Sequence, residues 1–357
     1  MKPAAGPRSD PLADRMLHLD PVAGRFADAR VADLPRLLRA GDLLVVNDGA
    51  TLPGSLHGRA ADGAPIEARL VQWLGGGEHG SEDRRKGEEE SVRFTALLFG
   101  AGDHRTPTEH RPPPPRLPEG AVLDLGPELD AVIERVWPAS ARLVDLRFRA
   151  RPARLWAALY RHGRPIQYAY VPAPLELWDT QTRYAARPVC AEMPSAGRPL
   201  TWELLFELGR RGVEIATLTH AAGISSTGEE ALDALLPLPE HYEIPEATAR
   251  AVRATRDAGG RVIAVGTTAA RALEGSAAQH GGVVTAGAGT TDLVIRRETP
   301  LRVVDGMLTG MHGPPESHYQ ILEALAPSDL LRRAHEHAEA AGYLAHEFGD
   351  ATLILAG

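Results

Sequence analysis

Two histidines stand where strands end. His220 closes the alternating stretch Val213-Glu214-Ile215-Ala216-Thr217-Leu218-Thr219, and His312 sits in Met311-His312-Gly313-Pro314-Pro315, a turn after a strand. An imidazole titrates near neutral pH, so a strand-end His suits general acid–base work, although a lone His is more often structural. Asn47-Asp48 follow the apolar run Leu43-Leu44-Val45-Val46 in the same manner. The carboxyl end of a strand is a common place for functional groups in α/β folds; the alternative is a plain turn at Asn47-Asp48-Gly49. The third place is Ala258 to Glu274, AGGRVIAVGTTAARALE. Here a buried-strand run, Arg261 to Val265, meets Gly266-Thr267-Thr268 and then residues of helix-forming composition. Thr267 or Thr268 can cap the helix, its free N–H groups favour an oxyanion or polar ligand, and Arg271 and Glu274 can face that ligand. With one Gly in the turn, no GxGxxG and no Gly-Lys-Thr, neither a dinucleotide nor a P-loop triphosphate is implied. A core βα unit with a Thr cap is the competing reading.

Other chemistries are disfavoured. No HExxH or HxxxH lies at a strand end, and His335 and His337 point to different faces of a helix, so no metal is expected. Ser195 lacks a Gly-x-Ser-x-Gly elbow. The one cysteine, Cys190, excludes internal disulfides and Cys-rich metal sites. Hydrophobic residues make up 43% and charged residues 24%, as in a soluble globular protein, and no apolar run is long enough for a membrane span. The start, MKPAAGPRSDPLADR, lacks the apolar core of a signal peptide, so a cytoplasmic location is expected. A formal net charge of -8 does not suggest a nucleic-acid coat, although a local basic groove can survive inside it.

The elements that must position these residues follow from the pattern. A chain of 357 residues predicts two domains. Residues 1–14 read as a loose lead-in, Arg15–Leu19 as a strand, and Val31–Arg39 as a short amphipathic helix. From Pro53 to about Ala150 short alternating runs recur between Gly- and Pro-rich breaks, which predicts a small inserted barrel or sandwich. Gly75–Glu90 reads as a charged hairpin tip. The aromatic-rich segment Gly163–Ala185 offers base stacking or domain-interface packing. Helices are expected over Arg154–Arg161, Thr201–Arg211, Glu246–Ala258, Leu322–Leu325 and Ser328–Ala341. Further strands are expected over Asp292–Ile295, Leu301–Val304 and Thr352–Leu355. Alternating β and α in the last two thirds predicts an α/β layer.

Several stretches, in order along the chain, resemble one family, the S-adenosylmethionine:tRNA ribosyltransferase-isomerases that make epoxyqueuosine in tRNA. They are Gly41 to Asp48 with Leu52-Pro53; Pro194-Ser195-Ala196-Gly197 with Thr201; Gly212 to Ala216 running into His220; and Glu240-His241-Tyr242-Glu243. They continue with Gly260 to Thr268 with Arg271, Leu273 and Glu274; Thr291-Asp292-Leu293; Val303 to Gly306; Leu308-Thr309; His312 with Pro314; and Phe348 to Ala351 with Leu353 to Leu355. The resemblance implies an α/β main domain, 1–53 and 151–357, carrying an inserted small β-barrel domain, 54–150. It implies S-adenosylmethionine as co-substrate and no metal. The ribosyl part of that molecule passes to the aminomethyl group of a deazaguanine in tRNA, where it is isomerised, and adenine and methionine leave. On the residues that match, His220, His312 and Asp48 are implied as catalytic. Asn47, Ser195, Gly197, Glu240, Tyr242, Gly266, Thr267, Thr268, Arg271, Thr291 and Asp292 are implied as substrate-binding. A monomer is expected.

The chain also departs from the pattern. Gly49-Ala50 replace Thr-Arg after the Asn-Asp pair, and Arg198-Pro199-Leu200 replace Leu-His-Phe. Gly313-Pro314-Pro315-Glu316-Ser317 replace Leu-Pro-Lys-Ser-Thr after His312. The lost basic groups weaken phosphate contacts, which leaves open a divergent paralogue with a small-molecule acceptor, or one that only binds S-adenosylmethionine. Arg147, Arg149, Arg151, Arg154, Arg161 and Arg164 form a possible phosphate track in the other direction.

Overall fold

The computed structural model describes residues 1–75, 91–314 and 316–356, so the charged tract read as a hairpin tip lies, beyond Gly75, outside the described residues. The chain opens with a hairpin, Arg15–Asp20 (β1) and Arg25–Arg30 (β2), and continues into Leu43–Asn47 (β3). Six strands follow: Ser55–Ala60 (β4), Pro65–Gly75 (β5), Arg93–Phe99 (β6), Val122–Asp124 (β7), Ala131–Val136 (β8) and Leu143–Phe148 (β9). Helices Pro152–His162 (α1) and Trp202–Arg210 (α2) lead to strands Glu214–His220 (β10) and Glu240–Ile244 (β11). Helix Glu246–Asp257 (α3), strand Val262–Val265 (β12) and helix Gly266–Gln279 (α4) come next. The chain closes with Gly287–Thr291 (β13), Gly306–Gly310 (β14), helices Ser317–Leu322 (α5) and Ser328–Ala340 (α6), and Ala351–Leu355 (β15).

One sheet has nine strands in the order β13-β11-β10-β3-β12-β14-β15-β1-β2. Four neighbours, β10, β3, β12 and β14, are parallel, so their carboxyl ends lie along one edge. The apolar runs that mark these strands are continuous because both faces are covered. Leu43 and Val45 pack with Val252 of α3 and Ala269 and Leu273 of α4, whereas Leu44 and Val46 pack with Leu204 and Leu208 of α2. Each such side chain contributes roughly 1.5–3 kcal/mol through burial. Below the site, Arg261 holds Asp42 by a buried two-point pair, Nε to Oδ1 at 2.9 Å and Nη2 to Oδ2 at 2.6 Å.

The six strands β4 to β9 form a closed antiparallel barrel in the order β8-β9-β6-β5-β4-β7. Closure leaves no free sheet edge. Leu56, Leu70, Phe94, Leu98, Ile133, Leu146 and Phe148 fill its core, and Leu155 and Leu159 of α1 pack against it. Buried Glu67 accepts from Ser55 Oγ at 2.7 Å, Arg69 Nε at 2.8 Å and Arg111 Nη1. Burial alone would push its carboxyl up, but the Arg69 and Arg111 guanidiniums and the Ser55 hydroxyl outweigh that and hold it at about 2.

Several expectations are corrected. Val31–Arg39 is a 3-10 turn, Val31–Asp33, and one α-turn, Leu34–Leu37. Residues 292–295 and 301–304 are not strands. Val303 and Val304 are buried, which explains their apolar character. Their N–H groups, with that of Arg302, donate to the Glu274 carboxylate at 2.8–2.9 Å, and the sheet strand is β14 instead. The helix expected at Leu322–Leu325 lies earlier: α5 ends at Leu322, and residues 323–325 form a turn. Residues 1–14 are tied down: Lys2–Pro3 pair with Leu344–Ala345, and Arg8 bridges Asp14 and Asp350 at 3.1 and 2.7 Å.

Candidate functional site

The site forms where the carboxyl ends of β3, β10, β12 and β14 meet the start of α4. The parallel register puts Asn47 opposite Leu218, and its side chain reaches His220, two residues further along β10. Its Oδ1 accepts the His220 N–H at 2.9 Å and the Gly49 N–H at 2.9 Å, and its Nδ2 donates to the His220 carbonyl at 3.0 Å and to Thr268 Oγ1 at 3.2 Å. One buried amide thus joins β3, β10 and α4.

The start of α4 differs from the expected Thr cap. The helix begins at Gly266 with Val265 as the preceding cap residue, and no side chain caps it. Gly266 has φ +84°, which suits glycine, and a Cβ there would come within 3.3 Å of Ala196. The 3-10 turn Ser195–Gly197 therefore abuts the helix start. Thr267 is buried beside it. The first N–H groups of a helix have no intrahelical partner, so the free donors expected of this segment belong to backbone rather than to capped positions.

His220 is fully buried, and neither of its ring nitrogens has a hydrogen-bond partner. Nε2 lies 3.4 Å from Glu240 Oε2. Burial lowers its affinity for a proton, Glu240 raises it and Arg271 lowers it again; the sum pushes it down to about 4. His220 is therefore a neutral imidazole at pH 7. Glu240 also accepts from Arg271 Nη1 and from the Gly223 N–H at 2.7 Å. Arg271 Nε donates to the Leu293 carbonyl at 3.0 Å, while its buried Nη2 has no partner. The partnerless buried nitrogens on both His220 and Arg271, around one carboxylate, are available to a polar ligand.

His312 lies beyond β14. Its Nε2 is 3.2 Å from Thr309 Oγ1 and its Nδ1 is 3.0 Å from Glu316 Oε2. His318 stacks on it with ring centroids 4.9 Å apart and planes 19° apart. Burial, then the neighbouring His312, push His318 down to about 3. Arg271 acts in the same direction, which brings this group within electrostatic reach of the His220–Glu240–Arg271 group. No motif in the sequence contains His318; the one signal is its place directly after Gly313 to Ser317, the segment that departs from the family pattern. Ligating atoms of His312, Glu316 and His318 lie within 4.8 Å of one another, a trio outside the helical His spacings considered above. Imidazole lone pairs lie in the ring plane, so two stacked rings confine theirs to separate, nearly parallel planes, and one ring must turn before both could hold a single ion.

Asp48 points the other way. Side chains alternate along a strand, so Asp48 and Thr219 lie on the face opposite Asn47 and His220. Thr219 Oγ1 donates to Asp48 Oδ1 at 2.6 Å, and burial pushes the Asp48 carboxyl up from its ordinary value. Two other expected residues, Tyr242 and Thr291, sit along α4, away from its start. The Tyr242 hydroxyl meets Gln279 at 3.2 Å at the far end of the helix. Thr291 is buried at its waist, where a Cβ on Gly275 would stand 2.4 Å from Thr291 Oγ1. Asp292 is exposed. Glu274 is occupied by backbone, as described. Of the two readings of the aromatic segment, packing describes Tyr168 and Tyr170: they stack at 5.9 Å and donate to Glu192 and Glu347. Arg198, in the Arg198-Pro199-Leu200 that replaces Leu-His-Phe, pairs with Asp14 at 2.6 Å, and Pro199 stands at the place of the His. Cys190 is buried with its thiol pushed up to about 12 by that burial, which leaves no reactive thiolate.

Comparison with known proteins gives the family. The model of the queuosine biosynthesis protein family matches residues 2–354. An S-adenosylmethionine:tRNA ribosyltransferase-isomerase of Gloeobacter violaceus is 35% identical over 340 residues, covering 91% of this chain and 85% of that protein. One of Acidithiobacillus ferrooxidans is 35% identical over 358 residues, covering 98% and 94%. The crystal structure of an S-adenosylmethionine tRNA ribosyltransferase from Thermotoga maritima superposes with a TM-score of 0.52 at 25% identity, covering 99% of this chain and 96% of that one.

Proposed function

The chain belongs to the queuosine biosynthesis protein family, and on that premise we propose that it is an S-adenosylmethionine:tRNA ribosyltransferase-isomerase. It transfers the ribosyl part of S-adenosylmethionine to 7-aminomethyl-7-deazaguanine in tRNA and isomerises it, with release of adenine and methionine. The observation that carries this reading is the family match over residues 2–354, barrel included. The named relatives favour this reading over a small-acceptor enzyme or a nucleoside-binding module.

His220 and Arg271 hold polar atoms of the nucleoside through their partnerless buried nitrogens, and Glu240 holds Arg271 in place. Asn47 and Thr268 fix the start of α4, whose N–H groups, with Thr267, Gly266 and the Ser195–Gly197 turn, complete the pocket wall. His312, half-buried rather than sealed, carries the proton to or from the reacting nucleoside. Asp48 supports the opposite wall. Tyr242 and Thr291 seat α4, and Asp292 lies at the rim. The division into 1–53 with 151–357 and an inserted 54–150 belongs to the same reading, as do a monomeric state and a cytoplasmic location; no helix among the described residues is long and apolar enough to cross a membrane.

The test is incubation with labelled S-adenosylmethionine and precursor tRNA carrying the aminomethyl base. Adenine and methionine are followed by chromatography and the adduct by mass. Adenine release with a tRNA adduct is expected. Adenine release only with a small amine present would replace the acceptor, and S-adenosylmethionine binding without release would leave a binding module.

A further inference from the structure

The segment in which this chain departs from its family, Gly313 to Ser317, places a carboxylate directly on the ring of His312. Glu316 uses both of its oxygens: Oε2 faces His312 Nδ1 at 3.0 Å and Oε1 accepts the Gly313 N–H at 3.0 Å. A carboxylate held at two points cannot swing away from the ring without breaking a backbone bond. On the opposite edge of the ring stands the buried Thr309 hydroxyl, 3.2 Å from Nε2. On one face lies His318, stacked at 4.9 Å. The ring is therefore constrained at both edges and on one face, by three different side chains.

We propose that Glu316 is a positioning residue for His312: it keeps the proton on Nδ1, so that Nε2 is the nitrogen that takes and returns a proton in the reaction. An ionised carboxylate only accepts hydrogen bonds, so the nitrogen facing it must be N–H. Which ring nitrogen carries the proton is set by the hydrogen bond the other one makes. Burial would keep Glu316 protonated, but the His312 hydrogen bond and charge and the Gly313 N–H outweigh that and hold its carboxyl below its ordinary value. The Thr309 hydroxyl then donates to Nε2 and must give up that lone pair when a substrate proton arrives. No bond is made or broken by Glu316 itself. The inference rests on His312 being the proton carrier assigned above, but the tautomer it specifies exists without substrate.

The experiment uses the full chain with its histidines labelled with ¹⁵N. The ring nitrogens of His312 are assigned by their loss in His312→Gln. The wild type is expected to show Nδ1 protonated and Nε2 unprotonated at neutral pH, and Glu316→Ala to shift that population toward Nε2–H. In the adenine-release assay Glu316→Ala is expected to lower kcat by about 10- to 100-fold, with KM for S-adenosylmethionine changed by less than about twofold. Glu316→Gln, which keeps the volume and an acceptor for Gly313 N–H, is expected to retain the fold and recover only part of kcat. A tautomer unchanged in Glu316→Ala overturns the proposal, and so does a changed tautomer with unchanged kcat. A wild type that binds S-adenosylmethionine but releases no adenine would instead defeat the functional reading, with the tautomer result still separately readable.

Discussion

The side-chain amide of Asn47 engages both backbone groups of His220, accepting its N–H at 2.9 Å and donating to its carbonyl at 3.0 Å. A single side chain at the end of β3 thereby sets where the imidazole at the end of β10 begins. The same amide reaches Thr268 Oγ1 at 3.2 Å, so the arrangement also fixes the start of α4.

Asn47→Asp keeps the oxygen that accepts from Gly49 and His220 but replaces the donor with a charge aimed at a carbonyl. Loss of about 1–3 kcal/mol is expected, the usual cost of an unsatisfied buried group. S-adenosylmethionine affinity, measured by calorimetry, should fall with it. A variant with wild-type Tm and affinity would show that the amide does not organise the site.

His220 carries a pH signature. Its ordinary value is 6.5 and its folded value about 4, so between these the unfolded chain binds a proton that the folded chain does not. Stability is therefore greatest above 6.5 and declines as pH falls toward 4. In His220→Gln this part of the decline should vanish. Urea midpoints of both proteins at pH 7 and pH 5 provide the check; parallel losses would mean that His220 is not the group responsible.

Arg271 and Glu240 separate folding from binding. Arg271→Ala leaves Glu240 buried without its cation and should cost about 3–5 kcal/mol. Adding Glu240→Gln removes the uncompensated charge and should recover most of that stability, but not S-adenosylmethionine binding. Recovery of both in the double variant would make the pair purely structural.

Glu192 predicts a stability gain. Burial pushes its carboxyl up to about 7 from 4.5, against the hydrogen bond from Tyr168 and with the help of Glu347. The folded chain then holds a proton that the unfolded chain has lost, so stability declines as pH rises from 4.5 to 7. Glu192→Gln mimics the protonated form and should be more stable than the wild type at pH 8 by about 1–3 kcal/mol, with little difference near pH 4.5. Equal Tm values at pH 8 would contradict this.

The arginine cluster bears on tRNA. Arg147 and Arg164 pair with Glu134 and Glu176 at 2.6 and 2.8 Å, and Arg154 lies 3.3 Å from Glu128. Among the described residues, Arg149, Arg151 and Arg161 are exposed and make no such pair. Changing these three to Ala should weaken tRNA binding and lower its salt dependence by about three phosphate contacts. Changing Arg147 and Arg164 should do less, since their charge is already shared. The reverse order of effects would relocate the tRNA path.

How far the sequence reads depends on how local the determining physics is. The six barrel strands, β3, β10, β12, α1, α3 and α6 are legible within a few residues, because each depends on its own period of apolar residues and its own Gly or Pro breaks. The strands expected at 292–295 and 301–304 failed for a long-range reason. Val303 and Val304 are apolar because they are buried, and Glu274, about thirty positions earlier, supplies the partner that a strand would have supplied to their N–H groups. Thr268 reads as a helix cap from its position beside Gly266, but its hydroxyl serves Asn47, more than two hundred residues away.

By itself, then, the sequence determined the family, the α/β layer with its inserted barrel, and the residues from which a site would be drawn: Asn47, His220, Gly266 and His312 at or just past strand ends, and Arg271 in the helix that follows β12. Strand polarity and burial pattern are local, and the motifs lie in short segments. Tertiary structure alone decided which of those residues share a site. Alternation across β3 and β10 sends Asp48 to the face opposite Asn47 and His220, the length of α4 carries Tyr242 and Thr291 away from its start, and the turn after β14 brings in Glu316 and His318. Such juxtapositions depend on register and on where a helix begins, and these are set by packing between segments far apart in the chain.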